Sequence, residues 1–127
     1  MALKILGGVL KGFMLKAESH ETRPTGVLLK RKLFDARQRF EQVHFIDLCA
    51  GTGSIGFEAL SRGAESLVLV ESNFKASKAI TSVVKKLKNE FAEYFKDKSI
   101  KSVNQSSSKW IRNFLKDLDG SVDFVVY

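Results

Sequence analysis

Fourteen residues near the middle of the chain, Asp47 to Leu60 (DLCAGTGSIGFEAL), restrict its fold more than any other segment. They follow the apolar run VHFIDLCA, which reads as a buried strand, and lead into a helix predicted from Ser54 to Arg62 that stops at Gly63. A second apolar run, SLVLVE, reads as the next strand and ends in Glu71, twenty residues beyond Gly51. Gly51, Gly53 and Gly56 therefore form a G-x-G-x-x-G turn between a strand and a helix, with an acid at the next strand end. Such glycines let the backbone approach a ligand closely, and the helix start offers free N–H groups. In open parallel sheets ligands bind at the carboxyl ends of the strands.

The remaining pattern extends this α/β unit. A long helix is predicted from about Asn73, turning Ile80, Val83, Val84, Leu87 and Phe91 toward a core. IKSVN reads as a third strand, Ser108 to Leu118 as a helix carrying Trp110, Ile111, Phe114 and Leu115, and VDFVVY as a fourth strand. Strands alternating with helices imply a parallel sheet with right-handed crossovers. With 127 residues and 44% hydrophobic side chains the chain is one domain or part of one, not a disordered or collagen-like polymer. No apolar run approaches the ~20 residues that span a bilayer, and no signal peptide opens the chain. The single cysteine, Cys49, excludes an internal disulfide and suits a reducing cytoplasm, so a cytoplasmic protein without a membrane partner is expected. No metal-ligand cluster, Ser-His-Asp arrangement or P-loop is present, so no metal site is expected.

The first third differs in character. LKILGGVLKGFMLKA reads as a hairpin turning at Gly7-Gly8, with Gly12 at a bulge or a close backbone approach. The segment ESHETRPTG reads as a loop, and Val27 to Glu41 as a helix with Leu29, Leu33, Ala36 and Phe40 on its apolar stripe. Lys30, Arg31, Lys32, Arg37 and Arg39 lie off that stripe. Of a net charge of +7, residues 1–42 contribute nine basic against four acidic side chains, a balance of +5. The shift near residue 42 marks 1–42 as an appended hairpin-and-helix module and 43–127 as the sheet domain. Its basic face suits a polyanion, with Lys4, Lys11, Lys16, Lys30, Arg31 and Lys32 toward phosphates, which position a nucleic acid without reading its sequence.

Glu71 can accept hydrogen bonds from both hydroxyls of a ribose, which serves NAD or S-adenosylmethionine equally. Asp47 discriminates. A carboxylate beside the turn would repel a pyrophosphate but attract the sulfonium and ammonium of S-adenosylmethionine. Asp47, Gly51, Gly53 and Glu71 are therefore expected to line an S-adenosylmethionine site.

With these motifs in place the chain resembles the RsmD-type small-subunit rRNA guanine-N2 methyltransferases. The resemblance rests on Gly7-Gly8, Lys11-Gly12, Thr22-Arg23-Pro24-Thr25, Leu33-Phe34, the block from Asp47 through Gly63, and Glu71, in the family's order and spacing. It implies the Rossmann-like sheet of class I methyltransferases, here its first four parallel strands, preceded by a β-hairpin and a basic helix. It also implies S-adenosyl-L-methionine as cofactor, held by Asp47, Ala50, Gly51, Thr52, Gly53, Glu71, Ser72 and Ser106. The implied substrate is ribosomal RNA or a small-subunit ribonucleoprotein particle, met by Lys11, Arg23, Thr25, Lys30 and Arg31.

This chain departs from the family pattern at Phe13, where an arginine is usual, and at Arg31, where a glutamate is. Cys49 replaces an aromatic and is read as a small buried core residue; Ser106 stands where an acid usually meets the adenine amino group. The family continues its fourth strand into Asp-Pro-Pro-Tyr, and this sequence stops at VDFVVY where that motif would begin. The resemblance thus implies that 43–127 is the N-terminal part of the cofactor-binding domain, without its own catalytic residues, and that Tyr127 is a packed strand aromatic. On this reading the 127-residue chain is itself inactive, and the outer edge of VDFVVY favours self-association. A catalytically silent cofactor- or RNA-binding module and a DNA methyltransferase sharing the sheet are the alternatives.

Overall fold

The computed structural model describes residues 2–16, 27–118 and 124–127. His20 and the Thr22-Arg23-Pro24-Thr25 stretch lie outside them. A short antiparallel pair, β1 (Ala2–Lys4) and β2 (Met14–Lys16), precedes α1 (Val27–Ala36). The α/β unit follows as β3 (His44–Asp47), α2 (Ser54–Ser61), β4 (Ser66–Glu71), α3 (Phe74–Glu90), α4 (Ala92–Phe95), β5 (Ser99–Asn104), α5 (Ser107–Lys116) and β6 (Phe124–Val126). The four later strands are parallel in the order β5-β4-β3-β6, so the first strand of the unit is central. The expected α/β class and strand alternation are what the structure shows.

Register positions the site. Asp47 ends β3 opposite Leu69, while β4 continues two residues further to Glu71. Those two residues carry Glu71 about 7 Å beyond the end of β3, level with the glycine turn. The next helix starts at once, because the Asn73 side chain accepts from the Ala76 amide at 2.9 Å and caps α3. Ala76, Ile80, Val84 and Leu87 of α3 are buried at the helical spacing, and Val83 and Phe91 pack partly against the same core. The last helix is different: α5 has no fully buried residue, though Trp110 stacks on Phe114 and Phe114 meets Phe124 edge-on, both at 5.0 Å.

Helix α2 is buried at all eight positions. The sheet covers one side, with the Gly56 Cα so near β4 that a methyl there would fall 2.8 Å from Leu69 Cδ2. The N-terminal segment covers the other. Ile5, Leu10, Leu15 and Phe34 share one hydrophobic cluster with Phe57, Leu60, Leu67 and Leu69. Among the described residues no helix is long and apolar enough to cross a membrane.

Several local expectations fail for identifiable reasons. Gly7 and Gly8 do not form the hairpin tip; the connection runs through residues 5–13, closed by Ile5 N–H to Phe13 O and Gly12 N–H to Ile5 O. Gly8 instead presses on α2, and a Cβ added at Gly12, whose φ is 90°, would meet nothing within 4 Å, so Gly12 is a turn residue without a close approach. On α1 the buried residues are Lys30 and Phe34, whereas Leu29 is 55% exposed and Ala36 is exposed too. The helix also ends at Ala36, five residues before its expected end at Glu41. Cys49 is exposed, its Sγ 4.0 Å from Ser107 Oγ, because it follows the end of β3 and leaves the core with the turn. Tyr127 is 44% exposed, although its backbone still pairs with Ile46 and Leu48.

Candidate functional site

At the carboxyl end of the sheet the turn from Ala50 to Gly53 is tied down by main-chain bonds. The Ala50 amide donates to Val70 O at 3.0 Å, and the Gly53 amide to Ala50 O at 2.7 Å. Gly53 has φ of 85°, and a Cβ there would lie 2.5 Å from the Phe57 ring, so only glycine closes the turn. Gly53 is also the N-cap of α2 and has no side chain to satisfy the helix's first N–H groups. Asp47 supplies that function from the neighbouring strand: its Oδ2 accepts from the Gly56 amide at 3.1 Å. The Asp47 side chain is thereby turned beneath the turn, only 2% exposed.

Glu71 lies on the open side. Its Oε1 accepts from the Gly51 amide at 2.8 Å and its Oε2 from the Asn73 amide at 2.7 Å, so one carboxylate pins the glycine turn to the start of α3. The other side of this strand end is braced by Asn104, whose Nδ2 donates to the carbonyls of Glu71 and Ser72. Ser72 is exposed beside it, Thr52 is half-buried with its Oγ1 3.4 Å from the Ser54 amide, and Ala50 is buried. Ser106 follows the end of β5, where its hydroxyl oxygen caps α5 by accepting from Lys109 N–H at 3.3 Å. Asp47, Ala50, Gly51, Thr52, Gly53, Glu71, Ser72 and Ser106 thus gather at one end of three adjacent strands. Among the described residues no group of His, Cys, Asp and Glu is arranged to hold a metal ion.

Burial drives the Asp47 carboxyl up to about 6, with the Gly56 and Cys49 amides pulling it down and the Glu71 charge pushing it further up. The sign follows from linkage. The folded state binds this proton more tightly than the unfolded chain, whose value is 3.8, so its stabilising effect is full below pH 3.8 and is lost as pH rises through about 6. The loss amounts to about 3 kcal/mol. Asp47→Asn should remove this component: urea midpoints at acid and neutral pH should show wild type losing stability relative to the variant as pH rises. Parallel pH profiles would refute the assignment.

A second constellation was not anticipated from sequence. Ser54, Glu58 and Ser61 are polar at i, i+4 and i+7 of an otherwise apolar helix, and all three are buried. Both oxygens of Glu58 are saturated, Oε1 by Leu6 N–H at 2.9 Å and Lys30 Nζ at 3.0 Å, Oε2 by Gly7 N–H at 3.0 Å and Arg62 Nε at 2.9 Å. Burial pushes its carboxyl up, but the Leu6 amide with Arg62 and Lys30 outweighs this and holds it below its ordinary value. Ser61 accepts from the Leu10 amide at 2.8 Å and donates to Gly7 O at 2.6 Å. Three polar groups spaced along one face of an apolar helix were the available signal, since solvated residues would have no reason to align there.

This network corrects the expected role of Lys30. Its ammonium is buried, and its three N–H groups are spent on Glu58, on Ser54 Oγ at 3.0 Å and on Lys4 O at 3.2 Å, leaving none for a phosphate. Lys11 and Arg31 are exposed and line one groove together with Lys4, Asp35 and Arg62. Lys32 is exposed on α1 outside that lining. Arg23 and Thr25 lie outside the described residues.

Known proteins resemble this chain in sequence and in fold. The family described as "Conserved hypothetical protein 95" matches residues 3–114. A Bacillus subtilis (strain 168) protein provisionally named rRNA methyltransferase YlbH is 38% identical over 87 residues, 67% of this chain and 47% of its own length. The Haemophilus influenzae ribosomal RNA small subunit methyltransferase D is 31% identical over 111 residues, 84% of this chain and 58% of its own. Among solved structures, a hypothetical protein of Thermus thermophilus superposes with a TM-score of 0.69 at 28% identity, covering 87% of this chain and 60% of the other. The chain spans about half the length of the curated relatives it matches. It belongs to the Conserved hypothetical protein 95 family, the RsmD-type methyltransferase family.

Proposed function

We propose that the chain binds S-adenosylmethionine at the carboxyl ends of β3, β4 and β5 and serves methyl transfer to the N2 amine of a guanine in small-subunit ribosomal RNA. The observation that carries this reading is the Glu71 carboxylate, held at the open side of the glycine turn by Gly51 and Asn73 amides. Each of its oxygens has a lone pair left for a ribose hydroxyl, and the turn has no side chain at Gly51 or Gly53 to fill the space. The cofactor supplies the activated methyl group; the chain's own residues hold it and orient it. Asp47 contributes by fixing the start of α2, Thr52 and Ser72 border the opening, and Ser106 keeps one oxygen lone pair for the adenine amino group. The ribosomal substrate is the reading favoured by the names of the relatives and by the basic character of residues 1–42.

Calorimetric titration of the chain with S-adenosylmethionine tests the site. Glu71→Ala removes an acceptor of two hydrogen bonds to a charged group, each of about 1.5–3 kcal/mol, so affinity should fall at least about tenfold. A change within about twofold would mean that Glu71 does not meet the ligand.

A further inference from the structure

We propose that the groove between the hairpin, α1 and the end of α2 is a phosphodiester-binding track for the RNA strand, separate from the cofactor opening. The proposal takes the identity of the strand from the ribosomal-RNA reading above, but the groove itself rests on its own geometry and charge.

The groove encloses about 490 Å³ and is lined by Lys4, Lys11, Arg31, Asp35 and Arg62 with the Ile5–Leu6 stretch. Four cations face one carboxylate. Behind the lining only Lys30 is added to the count, because buried Glu58 is shared between Lys30 and Arg62, the latter already one of the four. One carboxylate neutralises only one of them, so the floor of the groove keeps an unmatched positive charge close to apolar walls, where solvent screens it poorly. A bound phosphate group supplies the missing counter-charge.

Arg62 is preorganised for this. Its Nε is fixed on Glu58, its guanidinium lies 5.0 Å from the Phe34 ring centre, and its NH2 occupies the space that a side chain at residue 7 would need, 2.9 Å from an ideal Cβ there. An arginine held on three sides loses little freedom on binding and offers its remaining N–H groups in a planar fork suited to phosphate oxygens. Lys4, Lys11 and Arg31 are exposed and free to close on the ligand from the rim.

Lys30 joins the Lys4 carbonyl to Ser54, the first residue of α2, and meets Arg62 on the one carboxylate of Glu58, so the cations of the lining and the floor are drawn together. A strand lying in the groove is held by its backbone and not by its bases.

The test is fluorescence anisotropy with a labelled single-stranded RNA of mixed sequence over a series of salt concentrations. Lys4→Gln, Lys11→Gln and Arg31→Gln together should flatten the dependence of log affinity on log salt by about 2, since each lost single-strand phosphate contact removes about 0.7. Asp35→Asn should tighten binding, whereas Lys85→Gln with Lys88→Gln, exposed on α3 and outside the groove's lining, should leave the slope unchanged. All of these side chains are exposed, so the variants are expected to melt as wild type does. RNA binding with an unaltered slope in the triple variant would overturn the groove and leave the ribosomal reading standing. If wild type ignores RNA but binds inorganic polyphosphate through the same three cations, the groove stands and the RNA reading falls. Binding of neither overturns both.

Discussion

Glu58→Gln should destabilise the chain by about 3–5 kcal/mol, the cost of leaving a buried cation without its counter-charge. Lys30 is the cation most affected, because its ammonium is buried and cannot turn outward to water. Glutamine also places an amide NH2 group among four donors, so at least one of the Leu6, Gly7, Lys30 and Arg62 bonds must break. Adding Lys30→Met to Glu58→Gln should recover part of the loss, because the unpaired charge leaves with the lysine. Denaturant midpoints for the four members of this double-mutant cycle measure the coupling. A single-variant loss below about 1 kcal/mol, or strict additivity, would show that the network does not hold the N-terminal segment. The pH dependence has the sign opposite to that of Asp47. The Glu58 carboxyl is held below its ordinary 4.5, so its contribution is present above that value and is lost as pH falls through the lower folded value.

The second large effect is expected at Gly8. Its φ is 79°, and an added Cβ would fall 2.0 Å from the carbonyl oxygen of Ser61, which already accepts from the Val9 amide at 2.9 Å. Gly8→Ala combines left-handed strain of about 1–2 kcal/mol with overpacking of about 1–3 kcal/mol. Gly12 isolates the two components. It has φ of 90° but an added Cβ would meet nothing within 4 Å, so Gly12→Ala should cost only the strain. Thermal melts of the two variants should therefore differ, with Gly8→Ala the less stable by several degrees. Equal melts would show that the hairpin moves off α2 at little cost.

The two glycines also show where sequence reading works and where it stops. A glycine pair between apolar runs signals special backbone geometry, and that much is visible in Gly7-Gly8. Whether the geometry serves a turn or a close contact depends on a helix fifty residues away. The same limit explains α1: Lys30 lies off the apparent stripe as any surface lysine would, and its burial follows only from Glu58 opposite. The α/β unit was legible because its signals are local. Strand runs, the start of a helix near Asn73 and the glycine turn each occupy a few adjacent residues, and the acid of Glu71 falls at the end of its own strand. Asp47 was recognised as special for its charge, whereas its place beneath the turn follows from Gly53 having no side chain with which to cap α2. The exposed Cys49 could not be read from a run of apolar neighbours that ends just where the residue stands.

The bond from the Leu6 amide to Glu58 spans 52 residues of chain. During synthesis the N-terminal segment therefore emerges well before the helix that receives it. At translation rates of about 5–20 residues per second, the interval is roughly 3–10 s. Throughout that time Ile5, Leu10 and Leu15 have no core to enter, and the amides that Glu58 and Ser61 will accept are bonded to water. The hairpin thus waits for a helix that lies fifty residues further on, and its docking closes a long loop.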